Sequence, residues 1–118
     1  SKLCGSIVTV DIKLANGRVA DYAHDVHACA LGTASAAVMA KVIVGSAPDE
    51  LRALRETMRK MLKENGPPPD GRFAELAVLE PVRDYKARHA STLLVFDAVV
   101  EALDRIEVEA RPEARAVL

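Results

Sequence analysis

The stretch Ile7-Val8-Thr9-Val10-Asp11-Ile12-Lys13-Leu14-Ala15-Asn16-Gly17-Arg18-Val19-Ala20-Asp21-Tyr22-Ala23-His24-Asp25-Val26 alternates, turns and alternates again. Val8, Val10, Ile12 and Leu14 fall on one side and Thr9, Asp11 and Lys13 on the other, the period-two pattern of a half-buried strand. Asn16-Gly17 is a strong hairpin signal because both residues tolerate positive φ. Arg18 to Val26 then reads as the return strand, with Tyr22 and His24 on one face and Asp21, Ala23 and Asp25 on the other. A lone hairpin is marginal in water, so helices must cover it, with a third strand left open. The fold class that follows is α+β: a small antiparallel sheet packed against helices.

Outward from the hairpin the chain is helical. Gly32 to Gly45 is apolar on nearly all sides, which predicts a buried helix. Pro48-Asp49-Glu50 opens a second helix, whose stripe is Leu51, Leu54, Met58, Met61 and Leu62 and whose solvated face carries Arg52, Arg55, Glu56, Arg59, Lys60 and Lys63. Asn65 to Gly71, with three prolines, is an exposed loop. Arg72 to Leu79 reads as a short helix stopped by Pro81, and Val82 to Arg88 as a connection. The last helix runs from Ser91, a good N-cap type, to Ile106. The domain on this reading is residues 1–106, and 107–118 is a poorly packed tail.

The totals narrow the class. A chain of 118 residues is one domain in length. With no Trp, two Tyr and two Phe, its core must be aliphatic. Sixteen basic against seventeen acidic residues leave no cationic surplus of the kind nucleic acid requires. No apolar run reaches the length of a membrane span. Two cysteines are too few for a disulfide framework, and point to thiols or metal ligands in a cytoplasmic setting.

Cys29 lies between the return strand and the start of a helix, where backbone N–H groups favour a thiolate. Cys4 precedes the first strand. In an antiparallel pair the start of one strand lies beside the end of the next, so the hairpin brings both cysteines to one end of the sheet. His89, just before the last helix, is the third group that could join them. Two thiolates and an imidazole suit zinc or an iron–sulfur cluster, although the spacing is not a compact Cys-x-x-Cys knuckle. Other readings stand beside this one. Cys29 can be a small buried hydrophobe, His89 can serve a helix start, and His24 and His27 read as a solvated strand-end cluster. A thiol enzyme, with Cys29 as nucleophile and His27 or His89 as base, is also conceivable, but nothing in the sequence supplies an oxyanion site.

In order, these residues resemble the iron–sulfur cluster assembly scaffolds of the IscU, SufU and NifU N-terminal type. Cys4-Gly5 before an alternating strand resembles the family's Cys-Gly-Asp. Asn16-Gly17 matches its hairpin, and Cys29 followed by Thr33-Ala34-Ser35-Ala36 its second cysteine and small-residue helix. The piece from Lys63 to Arg88 is similar to the extra segment of the SufU branch. The resemblance implies a non-enzymatic scaffold. It would hold a transient iron–sulfur cluster, of the [2Fe–2S] kind, or a zinc ion, receive sulfur from a cysteine desulfurase and pass the cluster to acceptor proteins. Self-association is left open. The sequence departs from the pattern at two points. Ser6 stands for the aspartate, and the third cysteine is missing: Ser91 falls on it in the SufU-like frame, while in the IscU-like frame His89 matches the histidine and Ala90 the cysteine. The implied ligand set is Cys4, Cys29 and His89, with Ser91 or water in the fourth position. The resemblance also admits a zinc-holding sulfur-transfer protein of the SufU kind, or a degenerate member with a regulatory role.

Overall fold

The computed structural model describes residues 5–118. In chain order these form β1 (Ile7–Ala15), β2 (Arg18–His27), α1 (Ala30–Val42), α2 (Pro48–Lys63), two stretches of 3-10 turns (Gly71–Asp84 and Lys86–Arg88), α3 (His89–Glu109) and β3 (Glu113–Val117). The strands make one antiparallel sheet in the order β2-β1-β3.

The hairpin registers from Ile7↔His27 to Ala15↔Arg18. Its turn uses positive φ at Asn16 (54°) and Gly17 (75°), which an ordinary side chain resists. Val8, Val10 and Ile12 are buried as their alternation requires. The side of the sheet that carries them is covered by α3, which also touches β3, α1 and α2 and so stands at the centre of the molecule. Phe96, Val99 and Leu103 of α3 and the whole stripe of α2 complete one continuous hydrophobic core, aliphatic but for Phe96 among its buried side chains. The opposite side of the sheet carries Thr9, Asp11 and Lys13.

The structure corrects three expectations. Residues 107–118 are not a tail. α3 continues to Glu109, turns at Ala110 in the left-handed region (φ 53°), and returns as β3, which pairs with β1 from Thr9↔Val117 to Lys13↔Glu113. Ala116 is fully buried. The strand is hard to see in sequence because its inward positions, Ala114 and Ala116, are alanines, which carry no strand preference.

Second, α1 is not buried all round. Gly32, Ser35, Ala36 and Met39 are buried, while Thr33, Ala34, Ala37, Ala40 and Lys41 are exposed. Alanine is apolar in a count yet small enough to face water at little cost, so a run of alanines overstates burial. Third, the chain from Gly71 does not stop at Pro81. Its 3-10 turns continue to Asp84, since the fixed φ of proline lies within the 3-10 range. Leu76, Leu79 and Val82 anchor this segment in the core. The guanidinium of Arg72 fastens it to the end of α1, donating to Val42 O (3.2 Å), Val44 O (3.0 Å) and Gly45 O (3.2 Å).

Candidate functional site

The pairing Ile7↔His27 sets the chain before β1 beside the chain after β2. β3 finishes at the same end, where Leu118 N–H donates to Val8 O at 2.9 Å. Cys29 follows β2 there as the N-cap of α1, in an extended conformation (φ −66°, ψ 173°), and its carbonyl accepts from Thr33 N–H at 2.9 Å. Its half-buried thiol donates to Ser91 Oγ at 3.3 Å. The Ser91 hydroxyl in turn donates to Arg88 O at 3.3 Å, and Thr92 Oγ1 donates to the same carbonyl at 2.8 Å. Ser91 is therefore not the N-cap of α3. The helix begins two residues earlier, at His89, with Arg88 in the capping position.

Two residues that sequence reasoning passed over set this geometry. A Cβ on Gly32 would stand 2.9 Å from Ala28 Cβ and 3.1 Å from Ser91 O, so the bare glycine lets α1 approach the first turn of α3. Ser35, buried within the small-residue helix, donates to Thr92 O at 2.9 Å and Gly32 O at 3.1 Å. Together they stitch the two helix starts together. A glycine and a buried serine one turn apart were the available signal, but their partners lie nearly sixty positions away in the chain.

Two helix N-termini thus converge on Cys29 and Ser91, and neither first turn carries an acidic residue. The positive ends of both helix dipoles favour negative charge at this point, and a thiolate there is a soft donor suited to iron or zinc. A serine hydroxyl is a far weaker donor because it ionises only under a strongly acidic metal.

The other expected residues are placed as follows. His89 is buried, and its Nε2 lies 3.1 Å from both Val82 O and Arg83 O. Carbonyls only accept, so Nε2 carries the proton and donates to both. Two residues along a helix is a rotation of about 200°, which explains why Ser91 faces Cys29 while His89 faces the 3-10 turns. The structure brings Cys29 and Ser91 together and does not bring His89 to them. Cys4 lies outside the described residues. Ser6, in the place of the family's aspartate, is buried. His24 Nδ1 lies 3.1 Å from the Tyr22 hydroxyl, and burial pushes that phenol's pKa up. His27 pairs with Asp25 at 3.4 Å on the surface. Among the described residues, no three His, Cys, Asp or Glu side chains gather into a group that could hold a metal ion, and no helix is long and apolar enough to cross a membrane.

Comparison with known proteins adds the following. The family model described as NifU-like N terminal domain matches residues 1–92. An iron–sulfur cluster assembly scaffold protein IscU from Streptococcus pyogenes is 24% identical over 102 residues, covering 86% of this chain and 64% of that protein. The protein of the same name from Thermotoga maritima is 29% identical over 104 residues, covering 87% and 72%. The chain therefore spans about two thirds of the length of these relatives. The crystal structure of a nitrogen-fixing NifU-like protein (N-terminal) from Brucella abortus superposes with a TM-score of 0.90 at 61% identity, covering 92% of this chain and 76% of that one. FiSufU from Fervidobacterium islandicum superposes at 0.79 with 22% identity, over 87% and 75% of the two chains, a likeness of fold.

Proposed function

The chain belongs to the NifU-like N-terminal domain family, and from that premise we propose that it is a scaffold on which an iron–sulfur cluster is assembled and from which it is passed on. The observation that carries this reading is the Cys29 thiol, 3.3 Å from Ser91 Oγ, at the meeting point of two helix N-termini and three strand ends. The cluster is cargo here. Cys4 and Cys29 are its thiolate ligands, Ser91 stands beside Cys29, and the half-buried position of Cys29 leaves the cargo within reach of a partner. His89 has a different task in this proposal: through Val82 O and Arg83 O it fastens the 3-10 segment to the start of α3. A site with few strong ligands lets cargo go readily, which suits transfer. The partners that fit are a cysteine desulfurase as sulfur source and apo-proteins as acceptors, with no reaction catalysed by the chain itself.

The test is anaerobic reconstitution with iron and sulfide, read by absorption spectroscopy and metal analysis. A sulfide-to-iron charge-transfer band that disappears in Cys4→Ala and in Cys29→Ala is expected, and His89→Asn should keep it. No band in the wild type, or metal content indifferent to both cysteine substitutions, would remove the basis of the proposal. Stoichiometric zinc in the purified protein, with no cluster formed, would favour zinc-dependent sulfur transfer instead.

A further inference from the structure

We propose that a pocket at the start of α3, on the side turned away from Cys29, binds a phosphoryl group, either free or carried as the monoester of a small molecule. The pocket is open, has a volume of about 870 Å³ and lies where α2 ends, the two 3-10 stretches meet and α3 begins. Lys63, Arg83 and Lys86 line it against a single carboxylate, Asp84. That is a local cationic excess in a chain whose net charge is −1. Ser91 turns toward Cys29 whereas His89 lines this pocket, so the first turn of α3 stands between the two places. The inference does not depend on the scaffold reading.

The donors are fixed in number and largely uncommitted. Lys63 and Lys86 are exposed and make no ion pair or hydrogen bond among the described residues. Arg83 is held by one corner of its guanidinium: Nη2 donates to Gly66 O at 3.0 Å and lies 3.3 Å from the carboxylate of Glu80, which is outside the pocket lining. Its Nε is buried and has no acceptor among the described residues, an uncommon state for an N–H group in a folded chain. One anchored guanidinium beside two ammonium groups on flexible stems suits a compact anion. A phosphoryl group carries between one and two negative charges near neutral pH and offers three strong acceptor oxygens, and arginine and lysine are its usual partners. The start of α3 adds the positive end of a helix dipole, with no acidic residue in its first turn. α2 ends at the same pocket, but its Lys60 carbonyl is already taken by the N–H groups of Glu64 and Gly66, at 2.8 and 2.9 Å. The volume exceeds that of a phosphate ion and falls among those of small-molecule sites. Leu62 and Asn65, which complete the lining, offer an apolar wall and an amide to the organic part of an ester.

The probes are inorganic phosphate, adenosine monophosphate and adenosine, each titrated into the full chain at an ionic strength held constant with chloride. Amide shifts in nitrogen-15 NMR spectra report where each one binds. Phosphate and the monophosphate should shift the amides of Lys63, Arg83 and Lys86 in a saturable way, and adenosine should not. Tighter binding of the monophosphate than of phosphate assigns the site to an ester, and equal binding assigns it to the free ion. Lys63→Ala and Lys86→Ala should each weaken binding about tenfold, as loss of a charge-assisted hydrogen bond does. Asp84→Asn should strengthen it. Lys13→Ala, which removes the same charge from the open side of the sheet, should leave it unchanged. All four positions are exposed, and the spectra themselves report that each variant is folded. No saturable shift at these amides up to about 10 mM of either phosphate compound would overturn the proposal. So would an equal response to adenosine, or a loss in Lys13→Ala as large as in Lys63→Ala.

Discussion

Gly32 decides how near Cys29 comes to Ser91. Its missing side chain is the space in which the first turns of α1 and α3 meet, and the atoms that a Cβ would strike, Ala28 Cβ and Ser91 O, both move only with the backbone. Gly32→Ala should therefore push the helices apart and destabilise the fold by about 1–3 kcal/mol, the usual penalty for an overfilled contact. It should also break the bond from Cys29 Sγ to Ser91 Oγ, so that Cys29 alkylates faster at constant pH, read peptide by peptide to separate it from Cys4. Unchanged urea stability together with an unchanged alkylation rate would show that the contact has slack. At this scale the sequence told half of the site. Cys29 at a helix start could be read from its neighbours, because strand, loop and helix follow one another locally. Gly32 and Ser35 could not, because their function is a contact with residues far along the chain. His89 and Ser91 could not be sorted either: which of two positions 200° apart faces the thiol depends on where α3 begins, and that is set by packing.

Elements were more legible where their signals are local and strong. The hairpin follows from alternation plus Asn16-Gly17, and α2 from Pro48, its acidic first turn and its apolar stripe, every residue of which is buried. The start of α2 carries a pH dependence of its own. The carboxylate of Glu50 accepts the Ala47 N–H at 2.9 Å, and that bond, with the charges of Arg72 and Arg18 behind it, holds its pKa below the usual glutamate value. The folded chain thus binds this proton less readily than the unfolded chain. The stabilisation is present above the unfolded pKa and is lost as pH falls through the folded one. Melting temperatures of wild type and Glu50→Gln, measured from about pH 6 downward into acid, past the ordinary glutamate range, should start apart with the wild type higher and converge as pH falls. Parallel curves would mean that the capping carboxylate contributes nothing through its charge. The 3-10 segment was the least legible element. Its geometry depends on tertiary anchors, the Arg72 guanidinium on the end of α1 and the His89 ring on Val82 and Arg83, which leave no periodic mark in the sequence.

At the scale of the molecule, one layer of helices covers one side of a three-stranded sheet, and the end of that sheet carries the candidate site. The third strand makes the sheet complete. β1 is central only because β3 flanks it, and the last backbone bond of that pairing, Leu118 N–H to Val8 O, lies at the site end. If residues 107–118 were a loose tail, a charge placed there would be felt little, as surface substitutions usually are. Ala116 separates the two pictures. Its side chain is fully buried opposite Val10, under α3, where a carboxylate would find neither water nor a counter-charge among the buried side chains of the core. Ala116→Asp should therefore destabilise the protein by roughly 2–5 kcal/mol, measured by urea unfolding. Hydrogen exchange should show β1 losing protection along the edge that faces β3 before the hairpin itself opens. Because the start of β1 and the end of β3 share the site end, the same substitution should also increase the alkylation rate of Cys29 without touching any residue of the pair. A change in stability without that increase would mean that β3 supports the core but not the site.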